Sequence, residues 1–188
     1  MRLLCFGDSN TYGYDPRSYI GDRYPPESRW TDLLAQSTGW EVLNDGYNGR
    51  TIPASVTAVR PPRADGLVVM LGTNDLLQGL SAAEAAVRME HFLVPLLPAY
   101  SRILLIAPPP MKQGIWVTEE RLLVESARLA EEYEALARRL GISFADAGQW
   151  GVELTFDGIH FTESGHRAFA AGIRATLERW EVRSCSSD

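Results

Sequence analysis

The sequence predicts a three-layer α/β sandwich around a parallel sheet. Three observations lead there. Short apolar runs recur along the chain, longer segments with helical periodicity separate them, and the clusters of small polar residues follow the runs. Nearly continuous apolar strands suit a parallel sheet covered on both faces. Strand–helix alternation supplies the covering helices.

The first run is Arg2–Phe6, and the others are Trp40–Asn44, Gly66–Gly72, Arg102–Ala107 and Ile142–Ala145. Ser28 is placed to cap a helix running through Trp30, Leu33 and Leu34 to Gly39. Ser81 caps another, and Glu84 three residues on completes a capping box. Thr118 to Leu140 reads as a long amphipathic helix closed by Gly141. Thr162 caps the last helix, which fades near Trp180. The Pro-rich stretches Tyr24–Glu27, Val59–Arg63 and Ala107–Met111 read as ordered loops. Residues 1–183 are expected to form one domain, with 184–188 a disordered tail.

Charge narrows the function. The 188 residues carry a formal net charge of −6, and no basic run appears. Nucleic acid and anionic membrane surfaces both call for a positive footprint, so neither is an expected partner. The two cysteines, Cys5 in a strand and Cys185 in the tail, suggest no disulfide framework. The chain opens directly on a strand pattern, without the pattern of a secretory signal, and no apolar run reaches spanning length. The expected compartment is the cytoplasm.

In open parallel sheets, ligands bind beyond the carboxyl ends of the strands. Four such ends carry polar clusters: Gly7-Asp8-Ser9, "NDGYNGRT" over residues 44–51, "GTND" at 72–75 and "DGIH" at 157–160. A serine hydroxyl becomes a nucleophile only with a base in reach and a group that orients the base. Ser9, His160 and Asp157 can fill those roles, and Gly158 between the last two allows a tight turn. Acyl transfer also needs preorganised donors for a developing oxyanion. The backbone N–H groups of Ser9 and Gly49 and the amide of Asn74 qualify. Taken singly, each residue fits an ordinary turn, cap or structural histidine. Their convergence on one sheet edge is what points to chemistry. His91 and His166 fall in helical patterns and read as surface or packing residues.

With these residues assembled, the sequence resembles the SGNH (GDSL-like) hydrolase superfamily. The four blocks are "FGDSN" around Ser9, "NDGYNGRT" with Gly49, "GTND" with Asn74, and "DGIHFTESGH" with Asp157 and His160. Asn10 stands where the commonest pattern has Leu, and Gly46 is the alternative glycine of the second block. Arg29-Trp30, "NGRT" and "APPP" at 107–110 look most like the arylesterase and acyltransferase branch, near some carbohydrate acetyl esterases. The resemblance implies a flavodoxin-like five-stranded parallel sheet in the order 2-1-3-4-5. It implies no metal and no organic cofactor, and it leaves homo-oligomerisation open because several relatives form oligomers.

The expected activity is a serine esterase acting on short acyl esters, aryl or acetylated carbohydrate, with transacylation where an alcohol competes with water. Two other readings stay open. A non-catalytic carbohydrate-binding module could present the same polar edge. A metal-dependent phosphohydrolase could use Asp8, Asp75, Asp157 and His160. Candidate substrate-binding residues are Asp8, Asn10, Tyr12 and Tyr14 beside the nucleophile, and Met111 and Trp116 on the Pro-rich arch from Pro108 to Val117.

Overall fold

In the computed structural model, which describes residues 1–18, 20, 22–54 and 62–184, five parallel strands lie in the order β2-β1-β3-β4-β5. They are β1 (Arg2–Gly7), β2 (Glu41–Gly46), β3 (Gly66–Met70), β4 (Ile103–Ala107) and β5 (Ser143–Asp146). The predicted fold class and strand order hold, with strand ends shifted by one or two residues. Val59 to Pro61 of one Pro-rich stretch, and the tail from Cys185, lie outside the described residues.

Alternation along the strands divides the core in two. Leu4, Phe6, Leu67, Val69, Ile103 and Leu105 face one side, under α4 (Ala82–Leu93) and α5 (Glu120–Leu140). Leu3, Cys5, Val68, Met70, Leu104 and Ile106 face the other, under α2 (Trp30–Thr38) and α6 (Glu163–Ser184). The three central strands are almost wholly buried, which is why their sequences run apolar without alternation.

The capping box of Ser81 and Glu84 forms as expected, Gly39 and Gly141 close their helices in the left-handed region, and Thr162 Oγ1 accepts from Gly165 N–H. Ser28 does not cap α2. Arg29 occupies that position, and the Ser28 hydroxyl instead donates to Glu163 Oε2, tying α6 to the chain ahead of α2. The long helix α5 starts at Glu120, two residues later than the pattern suggests, with Glu119 at the cap. Two short helices, α1 (Ser9–Tyr12) and α3 (Thr73–Leu77), appear where the sequence suggests turns. One turn of helix is too short to show a period. Among the described residues no helix is long and apolar enough to cross a membrane.

His166 reads from sequence as a surface or packing residue, and it packs. It is fully buried, its ring meets those of Tyr24 and Phe161 near 5 Å, and Nδ1 faces Trp30 N–H at 3.4 Å. Burial disfavours the imidazolium, and the charges of His160 and Arg29 add to it, so the pKa falls from 6.5 to about 3. The folded ring stays neutral while an unfolded chain takes up the proton. This contribution to stability is complete above pH 6.5 and is lost as pH falls from there toward 3. Urea unfolding across that window should show the wild type losing stability more steeply than His166→Phe, which cannot titrate. Parallel slopes would contradict the assignment.

Candidate active site

The site begins at the paired ends of β1 and β2, where Gly7 stands in register with Gly46. A β-carbon on Gly46 would lie 2.0 Å from Tyr12 N, and one on Gly7 would lie 2.1 Å from Thr11 Oγ1. Only side-chain-free residues let α1 rest directly on the strand ends. Asp8 accepts from Asn10 N–H at 2.9 Å and so starts this helix. Ser9 is its first residue, and the Ser9 N–H has no acceptor among the described residues.

A tight loop brings the base. Residues Thr155 to His160 close on themselves through Thr155 N–H to His160 O at 2.8 Å and Gly158 N–H to Thr155 O at 3.1 Å. Asp157 Oδ1 accepts from Thr155 Oγ1 and from the N–H groups of Ile159 and His160, at 2.8, 3.0 and 3.0 Å. Its Oδ2 faces His160 Nδ1 at 2.6 Å, and His160 Nε2 faces Ser9 Oγ at 3.0 Å. Burial alone would raise the Asp157 pKa. The hydrogen bonds from the His160 ring and from the His160 and Ile159 amides outweigh it and hold the carboxyl below its ordinary range. An ionised Asp157 favours the tautomer with the proton on Nδ1, and in the neutral ring that tautomer presents the Nε2 lone pair to the serine hydroxyl.

The Pro-rich arch fixes this loop from outside. Lys112 N–H donates to Gly158 O at 3.0 Å, and Trp116 N–H donates to Asp157 O at 3.1 Å. Gly158 takes φ +88°, and a β-carbon there would sit 2.1 Å from Lys112 O.

The third and fourth blocks meet on the other side. Gly49 borders the cleft at φ +73°, and its N–H has no acceptor among the described residues. Asn74 Nδ2 donates one hydrogen to Arg50 O at 3.0 Å, which orients the amide and leaves its second N–H for the cleft. Asp75, fully buried, accepts from Ile52 N–H at 3.0 Å and from Arg88 at 3.1 Å. Arg50 donates to Gly7 O and Asp45 Oδ1 and lies over the Phe6 ring. The segment that presents Gly49 is therefore pinned at Arg50 and Ile52. Gly46 donates its N–H to Asn44 Oδ1 and lies beneath α1, away from the cleft.

These parts surround a cleft of about 570 Å³ bordered by Ser9, Gly49, Asn74, Asp157 and His160. Two of the six sequence candidates for substrate contact lie on it. Tyr14 borders the cleft with its ring 4.7 Å from that of His160, and Trp116 borders it with 62% of its surface exposed. The other four are corrections. Asp8 is 1% exposed and serves as a helix cap, and burial pushes its carboxyl up to about 6. Asn10 is buried and bonded to the backbone on either side of His160. Tyr12 turns away, under the Arg23 guanidinium. Met111 joins the core beneath α5 and donates its N–H to Ser126 Oγ. Sequence reasoning missed Ile115 and Phe156, which border the cleft while largely exposed. Their only signal is a large apolar side chain placed outside the strands and helices that build the core. Among the described residues no three His, Cys, Asp or Glu side chains are grouped to hold a metal ion.

A family model for GDSL-like lipases and acylhydrolases matches residues 5–168. The aryl esterase of M. smegmatis is similar over 95% of this chain and 98% of its own, at 29% identity and a TM-score of 0.81. A candidate arylesterase from Agrobacterium tumefaciens matches at 30% identity over 95% and 99%, with a TM-score of 0.81. A carbohydrate acetylesterase family member from Sinorhizobium meliloti matches at 27% over 95% and 98%, with a TM-score of 0.80. No curated protein matches.

The packing of arch on loop makes a sharp demand. Gly158→Ala adds a left-handed strain of roughly 1–2 kcal/mol and a clash whose relief costs about 1–3 kcal/mol more. Urea unfolding should register a loss of about that sum, and a loss under ~0.5 kcal/mol, the range of ordinary surface changes, would show that the arch yields freely.

Proposed function

The chain belongs to the GDSL-like lipase/acylhydrolase family, and on that footing we propose that it is a serine esterase of short acyl esters working through an acyl-enzyme on Ser9. The observation that carries this reading is the unbroken relay from Asp157 through His160 to Ser9 Oγ, opening on a cleft bordered by Gly49 and Asn74.

The chemistry follows from the geometry. Ser9 Oγ attacks the ester carbonyl while His160 Nε2 takes its proton. The imidazolium that forms is stabilised by the ionised Asp157. Negative charge gathers on the carbonyl oxygen, where the N–H groups of Ser9 and Gly49 and the free N–H of Asn74 receive it. His160 then returns the proton to the departing alcohol. Water, activated by the same imidazole, releases the acid. An alcohol that reaches the acyl-enzyme instead takes the acyl group.

The walls favour small acyl groups on an aryl or sugar alcohol. Trp116, Phe156 and Ile115 expose apolar surface at the mouth, while Asn48 offers a polar edge there. An aromatic ring, or the C–H face of a pyranose, can pack on such surfaces. The arylesterase and carbohydrate acetylesterase likenesses support the same two alcohol classes. The metal-dependent alternative is not favoured, because Asp8 caps a helix and Asp75 is held by Ile52 N–H and Arg88.

Ser9→Ala should abolish hydrolysis of p-nitrophenyl acetate by several orders of magnitude with the fold intact. A folded variant with near-wild-type turnover would rule out the covalent route. Asn74→Ala should lower kcat roughly 10²–10³-fold, the usual effect of deleting an oxyanion donor, and unchanged kcat would reduce Asn74 to a loop tie.

A series of p-nitrophenyl esters from acetyl to decanoyl tests the acyl side. Each added methylene should gain at most about 0.8 kcal/mol, and only while the cleft has room to bury it. kcat/KM should peak among the short chains. A steady rise to decanoyl would contradict the short-acyl reading.

A further inference from the structure

Asn10 follows the nucleophile, yet its side chain turns away from the cleft and is 3% exposed. Its Nδ2 donates to Ile159 O at 3.0 Å, and its Oδ1 accepts from Phe161 N–H at 2.9 Å. Ile159 and Phe161 are the residues immediately before and after His160. The amide therefore grips the backbone on both sides of the base. The orientation of the amide is unambiguous, since only Nδ2 can donate to a carbonyl and only Oδ1 can accept from an N–H.

The grip spans 149 and 151 positions of sequence. Among the described residues, the hydrogen bonds that join α1 to the loop from Thr155 to Phe161 are these two and the Ser9–His160 contact itself. Asn10 is in turn held at its own backbone. Its N–H donates to Asp8 Oδ1, and its carbonyl accepts from Trp30 Nε1 at 3.1 Å. The side chain is thus a short rigid link from the helix that carries Ser9 to the loop that carries His160.

We propose that Asn10 is a positioning residue that sets the distance between Ser9 Oγ and His160 Nε2. This rests on the reading of Ser9 and His160 as nucleophile and base. The bridged atoms explain why an amide is required. Leucine has similar bulk but offers neither the donor nor the acceptor, and the Ile159 carbonyl and Phe161 N–H would lose these buried partners. A protonated carboxylic acid reproduces the grip, since its O–H can donate to Ile159 O while its other oxygen accepts from Phe161 N–H. An ionised carboxylate cannot, because it faces the Ile159 carbonyl with an acceptor.

The test compares wild type, Asn10→Leu, Asn10→Asp and Ser9→Ala in p-nitrophenyl acetate hydrolysis across pH, with folding followed by circular dichroism. Asn10→Leu should lower kcat about 10–100-fold, the scale of an ångström of misplacement, with KM unchanged. Asn10→Asp should exceed Asn10→Leu at the acidic end and lose kcat as pH rises and the new carboxyl ionises, while the wild type shows no such alkaline loss. If Asn10→Leu does not fold, the pH profile of Asn10→Asp alone decides. A folded Asn10→Leu with wild-type kcat, or an Asn10→Asp profile parallel to wild type, overturns the positioning role. If those results come with an inactive Ser9→Ala, the serine mechanism stands and only the role of Asn10 fails. An active Ser9→Ala would fail the underlying reading instead.

Discussion

The whole site depends on backbone lying against backbone where a β-carbon would not fit. Gly7 and Gly46 end their strands side by side, and α1 rests on that bare edge. On the opposite side, the arch meets the His160 loop through Gly158 and Gly114, where a β-carbon on Gly114 would lie 2.4 Å from Asp157 C. These contacts leave little play. Ser9 is placed by the sheet, and His160 by a loop pressed from outside. A relay with a 2.6 Å and a 3.0 Å contact can persist only if both partners rest on parts that do not drift.

Electrostatics separates the carboxylates at this edge by environment, although all are buried. Asp157 accepts two backbone N–H groups, a threonine hydroxyl and the imidazole, so it stays charged. Asp8 accepts from the Asn10 N–H, but burial dominates, raising it to about 6. Asp75 is also raised by burial, against the opposing pull of Ile52 N–H and Arg88. Only Asp157 combines charge with contact to the base. The roles of three acidic residues that look alike in sequence are separated by how many donors each one meets.

The sheet was legible because its three central, buried strands leave a plain apolar signature, whereas the strand order came only with the family resemblance, and the candidate site was legible because its four blocks all follow strand ends. Other parts were hidden for physical reasons. The helices α1 and α3 are each about one turn long, below the reach of periodicity. Ser28 looks like a cap, but its hydroxyl is engaged by Glu163 from α6, and that partner lies 135 positions away. Asn10 is the clearest case. Proximity to Ser9 suggests substrate contact, whereas its partners lie about 150 residues on and only folding reveals them. Met111 and Trp116 show the same limit. They share one arch, yet one side chain enters the core and the other borders the cleft.

An acyl group that passes through Ser9 must rest there as a covalent ester, and that intermediate can be isolated. The enzyme is mixed with p-nitrophenyl acetate, quenched in acid within the first turnovers, digested and examined by mass spectrometry. The expected result is one acetyl group on the peptide containing Ser9, formed in step with a burst of p-nitrophenol. Turnover with no acylated Ser9, or with the acetyl group on another residue, would contradict it.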